Sequence, residues 1–254
     1  RGNSASDRGF TAFYFGTGIY ESNDNGETWS LLPSTSDKDA EYNSRFDYIS
    51  RIKVSPTTGT IFAASNSYGI LRSTDDGSTF PIVRGPYTWI DFDIDDQGNI
   101  VAVFSTTGSG SDESGIFYST NDGAPGSWTD ITPADFPDGH DRSVITFAPS
   151  DPNIVYVFSE KSSGSTNPSS NQGVSFFKVD ISDPQNPTAE DRSANLPDFG
   201  GDVGGVNLQG GYNMVVSVKP DDPDFVMIGA TNLFRSRDGF ATTPSGGYDN
   251  SDAS

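Results

Sequence analysis

An all-β fold assembled from repeated antiparallel sheets is what this 254-residue sequence predicts, and three observations predict it. A short turn-forming phrase recurs along the chain, each copy follows a brief apolar run, and the copies fall at intervals that one small sheet would fill. Composition agrees. The chain has 28 Gly and 16 Pro for turns, with 18 Phe, 10 Tyr and 3 Trp for strands and core, and no long stretch carries apolar residues at helical spacing.

The phrase first reads Ser22-Asn23-Asp24-Asn25-Gly26-Glu27-Thr28-Trp29 and returns as Ser73-Thr74-Asp75-Asp76-Gly77-Ser78-Thr79-Phe80. In the shared S-x-D-x-G-x-T-[WF], the serine and aspartate side chains can bond the backbone within the turn, and glycine takes the positive φ that a Cβ obstructs. Trp29, Phe80 and the later Trp128 are expected to close their turns as core rings. The third copy, Ser119-Thr120-Asn121-Asp122-Gly123, has Asn121 for Asp and two extra residues before Ser127-Trp128. The fourth, Ser236-Arg237-Asp238-Gly239-Phe240, reads as one residue tighter. The approaches are alike as well: Gly18-Ile19-Tyr20, Gly69-Ile70-Leu71, Gly115-Ile116-Phe117 and Asn232-Leu233-Phe234.

These residues resemble Asp-box (BNR) repeats of the sialidase, xyloglucanase and sortilin-like superfamily. The resemblance implies a β-propeller of four-stranded blades in which the box joins the third and fourth strands, away from the ligand-binding face. It therefore specifies fold far more than function. The segment from Gly200 to Met214, with Gly229-Ala230-Thr231-Asn232-Leu233-Phe234-Arg235-Ser236, is similar to secreted BNR-repeat proteins of Bacteroidetes that carry a type IX secretion sorting domain.

Taken in order, the elements fit such blades. The box serines at 22, 73 and 119 lie 51 and 46 residues apart, one blade each, and the 117 residues to Ser236 make room for two. An eroded box is expected in that gap, where Val174 to Asp180 reads as a third strand and Ser182-Asp183-Pro184 as its turn. Strand-turn-strand patterns recur at 51–64, 90–104, 144–158 and 214–229, and these predict hairpins of first and second strands forming an outer layer. The expected blades are 46–85, 86–133 and 140–194 in full, with partial ones at 10–33 and 212–240. Only Phe10 to Thr17 precedes the first box strand, and no clear fourth strand follows the last box, so the propeller is expected to be incomplete in this chain and part of a longer polypeptide or complex. Three long polar loops, Thr106 to Ser114, Lys161 to Gln172 and Leu196 to Gly211, exceed ordinary connections and mark candidate functional segments.

A net charge of −20 argues against nucleic acid and anionic membrane surfaces, because no basic stripe is present to displace counterions. No apolar run approaches the roughly 20 residues of a spanning helix, so membrane insertion is not expected. With no Cys there is neither a disulfide framework nor a thiol nucleophile. The acidic, Asn/Ser/Thr/Gly-rich composition fits a secreted or cell-surface bacterial protein, with a protein or glycan as partner.

Candidate chemistry is diffuse. Sialidase-like activity, as the resemblance implies it, needs an arginine cluster, a tyrosine nucleophile with a glutamate, and an acid/base aspartate. Arg51-Ile52-Lys53 stands in a comparable strand, while Arg45, Arg72, Arg84, Arg142, Arg192, Arg235 and Arg237 follow no pattern, and Arg72 and Arg235 read as strand-end charges. Xyloglucanase-like hydrolysis needs two carboxylates across a cleft. Asp47, Asp91, Asp93, Asp135, Asp141 and Asp202 are candidates, each set against the simpler reading of a solvated turn carboxylate. Asp93-Ile94-Asp95-Asp96-Gln97-Gly98-Asn99-Ile100 resembles half of a calcium loop, but Phe104 stands where the last acid belongs and a hairpin turn is the stronger expectation. Calcium elsewhere in the acidic loops is the one cofactor expectation. His140 beside Asp141 could be a general base but reads better as a surface-loop histidine, since no nucleophile elbow accompanies it. Trp89 and Tyr87 are free to line a sugar-binding surface. The expected function is a non-catalytic module whose loops bind protein or glycan; the alternative is a glycoside hydrolase with part of its active site outside this chain.

Overall fold

Runs of two to eleven residues, each bounded by Gly, Pro, Asp or Asn, form the strands of five antiparallel sheets. The computed structural model describes residues 16–37, 43–66, 68–85, 89–105, 114–137, 139–161, 173–198 and 205–243. Sheet 1 pairs β1 (Tyr20–Glu21) with β2 (Ser30–Leu31). Sheet 2 holds β3 (Ile49–Val54), β4 (Ile61–Ser65), β5 (Gly69–Ser73) and β6 (Ile82–Arg84) in sequence order. Sheet 3 holds β7 (Ile90–Ile94), β8 (Ile100–Phe104), β9 (Gly115–Ser119) and β10 (Thr129–Asp130). Sheet 4 holds β11 (His140–Ala148), β12 (Asp151–Lys161), β13 (Val174–Asp180) and β14 (Thr188–Asp191). Sheet 5 holds β15 (Val215–Lys219), β16 (Asp222–Gly229) and β17 (Leu233–Ser236). Two single 3-10 turns, at Pro33–Thr35 and Ser193–Asn195, are the only helical residues among those described. The expected opening strand at Phe10 to Thr17 falls almost wholly outside the described residues.

Each core lies between two consecutive sheets. Ile19 and Leu32 of sheet 1 meet Ala63, Leu71 and Phe80 of sheet 2. Phe62, Ala64 and Ile70, on the other face of sheet 2, meet Phe92, Ile100 and Phe104 of sheet 3. Val101, Val103 and Ile116 then face Ile145, Val155 and Phe177 of sheet 4. Tyr156, Phe158 and Phe176 face Val216, Val226 and Phe234 of sheet 5. In sheets 2, 3 and 4 the second and third strands are thus buried on both faces over most of their length, which is why β4 and β8 read as unbroken apolar runs and not as alternating ones. Sheets that stack face to face in chain order are the blades of a β-propeller, here an open set.

The hairpins do not form the outer layer the sequence suggests. First strands touch from sheet to sheet: Ser50 Oγ on β3 donates to the Ile90 carbonyl on β7 at 3.0 Å, and the Ile145 N–H on β11 donates to Asp91 on β7 at 3.0 Å. Radial sheets approach most closely at their inner edges, so β3, β7, β11 and β15 are the inner strands and β6, β10 and β14 the outer ones.

The corners between third and fourth strands follow one bonding plan. In the first, Ser22 Oγ donates to Asp24 at 2.8 Å and accepts from the Gly26 N–H at 2.8 Å, while the Thr28 N–H and hydroxyl bond the Asp24 carboxylate at 2.8 and 2.5 Å. Ser73, Asp75, Gly77 and Thr79 repeat it at 2.7 to 2.9 Å. Hydrogen bonds from Thr28 and Ser22 hold the Asp24 carboxyl down at about 2. In the third corner Asn121 cannot play the carboxylate's part, and Ser119 bonds Ser127 across the two-residue insertion at 2.7 Å. The fourth corner is not tighter. Ser236 Oγ accepts from the Phe240 N–H at 2.8 Å and Thr242 donates to Asp238 at 2.6 Å, so the corner keeps its full length and Phe240 occupies the glycine position, with φ +61°. The eroded turn after β13 is held by Asp183, which accepts from the Gln185 N–H at 3.1 Å and the Asn186 amide at 2.9 Å.

Two of the three closing rings behave as expected: Phe80 is buried and Trp128 packs against the core between sheets 2 and 3. Trp29 does not. It is 62 % exposed, its indole N–H bonding back to the Gly26 carbonyl at 3.1 Å, because no described residue stands on the far side of sheet 1.

Candidate functional site

Antiparallel order sorts the connections between two ends. First strands run toward the first hairpin turns and third strands run in parallel with them toward the corners, so turns and corners share one end. The opposite end gathers the starts of the first strands and the connections at 66–68, 105–114, 161–173 and 230–232. All three long loops open there, although most of their residues, including Asp202, lie outside the described ones, as does Tyr87.

Along the inner strands the carboxylates nearest the axis are engaged. Asp91 takes a two-pronged bond from Arg51, whose Nη2 stands at 2.7 Å, and accepts from the Ile145 N–H. Asp93 pairs with Lys53 and accepts from the Thr146 hydroxyl at 2.8 Å and the Phe147 N–H at 3.0 Å. Two acids on β7 thus staple β3 on one side and β11 on the other. Burial pushes the Asp91 carboxyl up, against the lowering pull of the Arg51 guanidinium and the Ile145 N–H. Arg51 is held charged by the same two acids, against its own burial. Both carboxylates are buried and taken up by donors of this chain.

The remaining candidates separate. Asp47 caps a turn, accepting from the Asn43 and Ser44 N–H groups at 2.9 and 2.6 Å. Asp135 is solvent-exposed. Asp95 closes the β7–β8 hairpin by accepting from the Gln97 and Asn99 N–H groups at 2.9 and 2.8 Å. Asp93 points to its staple, so the two acids of the half calcium loop do not converge, and no group of three or more acids and histidines able to hold a metal occurs among the described residues. His140 is not a surface-loop residue. It is buried at the start of β11, its Nε2 2.8 Å from the Phe104 carbonyl and its ring edge-on to Phe136 at 4.8 Å. Burial lowers its proton affinity, with the Phe104 and Pro137 carbonyls opposing.

The described arginines form no cluster either. Arg45 donates to the Phe80 carbonyl at 2.9 Å, and Arg84 stacks over Phe117 at 3.6 Å. Arg72 is more than a strand-end charge, since it reaches the Asp122 carbonyl and carboxylate of the next sheet at 2.8 and 3.0 Å. Arg192 does likewise to the Asp238 and Gly239 carbonyls at 3.0 and 2.9 Å. Arg235 and Arg237 stay exposed.

What the loop end does assemble is a set of groups the sequence hardly marks. Tyr48 and Trp89, at the starts of β3 and β7, meet edge to face at 6.0 Å. Beside the His140–Lys161 pair, Asp141 and Glu160 lie at one level of β11 and β12. Burial and the Asp141 charge push the Glu160 carboxyl up, with Arg142 opposing. Arg142 also fastens the following segment, donating to the Gly211 and Tyr212 carbonyls at 2.6 and 3.1 Å. Tyr212 is 43 % exposed. An acid at the end of a buried strand, as Glu160 ends Ile154–Phe158, is the one sequence signal that could have found it. Chemically the loop end offers an aromatic pair and, on sheet 4, an acidic, partly desolvated step suited to hydrogen-bonding a polar ligand.

No family model matches the chain, and no curated protein does. Solved structures do match in fold. The GH74 enzyme of Niastella koreensis superposes with a TM-score of 0.60 and 19 % identity over 89 % of this chain and 34 % of its own. The GH74 xyloglucanase from Xanthomonas campestris gives 0.58 and 13 % over 87 % and 34 %. A YCF48 bound to D1 peptide gives 0.47 and 19 % over 88 % and 58 %. The chain thus spans about a third of the length of the GH74 enzymes it matches, and at these identities the likeness is one of fold.

Proposed function

We propose that this chain is a non-catalytic propeller module of an exported or cell-surface protein, its Asp-box corners serving as structural joints and its loop end presenting a surface for protein or glycan. The observation that carries this reading is the fate of Asp91 and Asp93. These two acids of β7 are spent on holding three sheets together, so β7 offers salt bridges where a hydrolase needs a facing pair of free carboxylates. Binding falls to Tyr48, Trp89 and Tyr212, which supply apolar area with a polar edge. A glycoside hydrolase is the second reading, favoured by the raised Glu160 beside Asp141.

The two separate in one experiment. The chain is applied to glycan and peptide arrays and, in parallel, incubated with xyloglucan while reducing ends are measured. The expected result is retention on an array that Trp89→Ala and Tyr212→Ala weaken, with no release of reducing ends. Sustained release that Glu160→Gln abolishes overturns the binding reading in favour of hydrolysis.

A further inference from the structure

At two junctions inside the chain, sheet 2 to 3 and sheet 4 to 5, one cross-strand pair of a sheet meets a corner or turn of the next. On sheet 2 the pair is Phe62 and Arg72. The Phe62 ring fills the space beside Gly123, where a Cβ would come within 2.8 Å of it, and Arg72 holds Asp122. On sheet 4 the matching pair is Tyr156 and Lys178. The Tyr156 hydroxyl sits where a Cβ on Gly239 would come within 2.5 Å, and Lys178 pairs with Asp224 at 2.7 Å. In each case the second strand offers a large ring, the third strand a cation, and the following sheet a glycine corner and a carboxylate.

Sheet 5 carries a similar pair in the register of sheet 2, with Met227 in place of the ring and opposite Arg235. Alternation turns it away from sheet 4, because Val226, Ile228 and Phe234 point into the core there. Around it stand Val215 and Leu233, each at least half exposed, with Lys219 paired to Asp221 at 2.6 Å and Arg237 over the Phe225 ring. Arg235 makes no ion pair or hydrogen bond among the described residues. At the other end of the set, sheet 1 offers the complement: a corner with Gly26 and Trp29 exposed where Gly77 and Phe80 are buried. Residues 16–37 contain Glu21, Asp24, Glu27 and Asp37 and no cation.

We propose that the open face of sheet 5 docks onto the open face of sheet 1 of a second copy of this chain, Met227 and Arg235 of one copy meeting the Gly26 corner and Glu27 of the other. Two observations choose this occupant: the contact continues the pattern of two internal junctions, and the face carrying Arg235 and Arg237 meets the face that holds only acids. Different surfaces are used on the two copies, so the association is head to tail.

Sedimentation velocity over a concentration series tests it. The wild-type chain is expected to exceed monomer mass as concentration rises, and Trp29→Ala, Arg235→Glu and Glu27→Arg each to weaken association by roughly tenfold or more. The double variant Arg235→Glu with Glu27→Arg restores it, since the reversed charges again attract. Both positions are exposed, and circular dichroism checks that each variant is folded. A monomer at every concentration, as expected if these faces are reserved for sheets of another polypeptide, overturns the proposal. So does association that ignores the single charge reversals, or that the double variant fails to rescue.

Discussion

Asp91 and Asp93 show how little a residue's type says until its partners are known. Both are acids in an apolar strand and both sit by the axis, yet each is surrounded by donors. Replacing Asp91 with Ala leaves the buried Ile145 N–H without an acceptor and Arg51 without its carboxylate. Arg51 is about one-third exposed and can turn to water, whereas the N–H cannot. The cost is expected at about 2–4 kcal/mol in chemical denaturation, more than for exposed Asp135→Ala. His140 gives a second test at the same scale. Burial holds its folded pKa below the ordinary 6.5, so the unfolded chain binds the proton more readily. Stability is therefore complete above pH 6.5 and declines as pH falls below it through the folded value. Because His140 is the chain's single histidine, His140→Asn should remove this slope from a series of melting curves, leaving only the carboxylate contributions, losses for lowered acids such as Asp24 and gains for Asp91 and Glu160.

The corner is the element the sequence states most openly, because every side-chain bond within its two intact copies joins residues no more than four positions apart. That is why its two intact copies were legible to the atom, and why the third and fourth were not. An insertion or a missing glycine changes which residue fills which place, and only the bonds to Ser236 assign Phe240 to the glycine position. The functional end was less legible for the opposite reason: Glu160, Arg142 and Tyr212 are brought together by pairing across sheets, with no local signature. The two intact corners differ in what lies above them, and this can be measured. At Gly26, φ is +90° and a Cβ would find nothing nearer than the Trp29 ring at 3.8 Å; at Gly77, φ is +79° and a Cβ would strike Leu32 at 2.8 Å. Gly26→Ala should cost about 1 kcal/mol of backbone strain, and Gly77→Ala about 1–3 kcal/mol more for the displaced leucine. Equal losses for both would mean that sheet 1 does not cover the second corner as described.

For the whole molecule the question is what keeps five small sheets acting as one body. None has a core of its own, since each apolar cluster belongs to a pair of sheets, so stability passes along the set through its junctions. Sheets 3 and 4 have neighbours on both sides, whereas sheet 5 leans on sheet 4 alone. Arg192 is the main polar tie of that last junction. It is nearly buried, it reaches back to Glu190 at 2.8 Å, and its other arm holds the Asp238 and Gly239 carbonyls. The Glu190 end is mostly exposed and contributes little. The two carbonyls lie in the corner, where losing the guanidinium leaves Asp238 with the Ala241 N–H alone, at 3.1 Å, and takes from Gly239 the donor at 2.9 Å. Arg192→Leu keeps the apolar stem and removes only the charge and its bonds. Hydrogen exchange should then accelerate several-fold in β15, β16 and β17 while β7, β8 and β9 keep wild-type protection, because the end sheet can open without unfolding the middle. Acceleration spread evenly over all sheets would instead mean that the set opens only as a whole, and that its junctions are not the units of its stability.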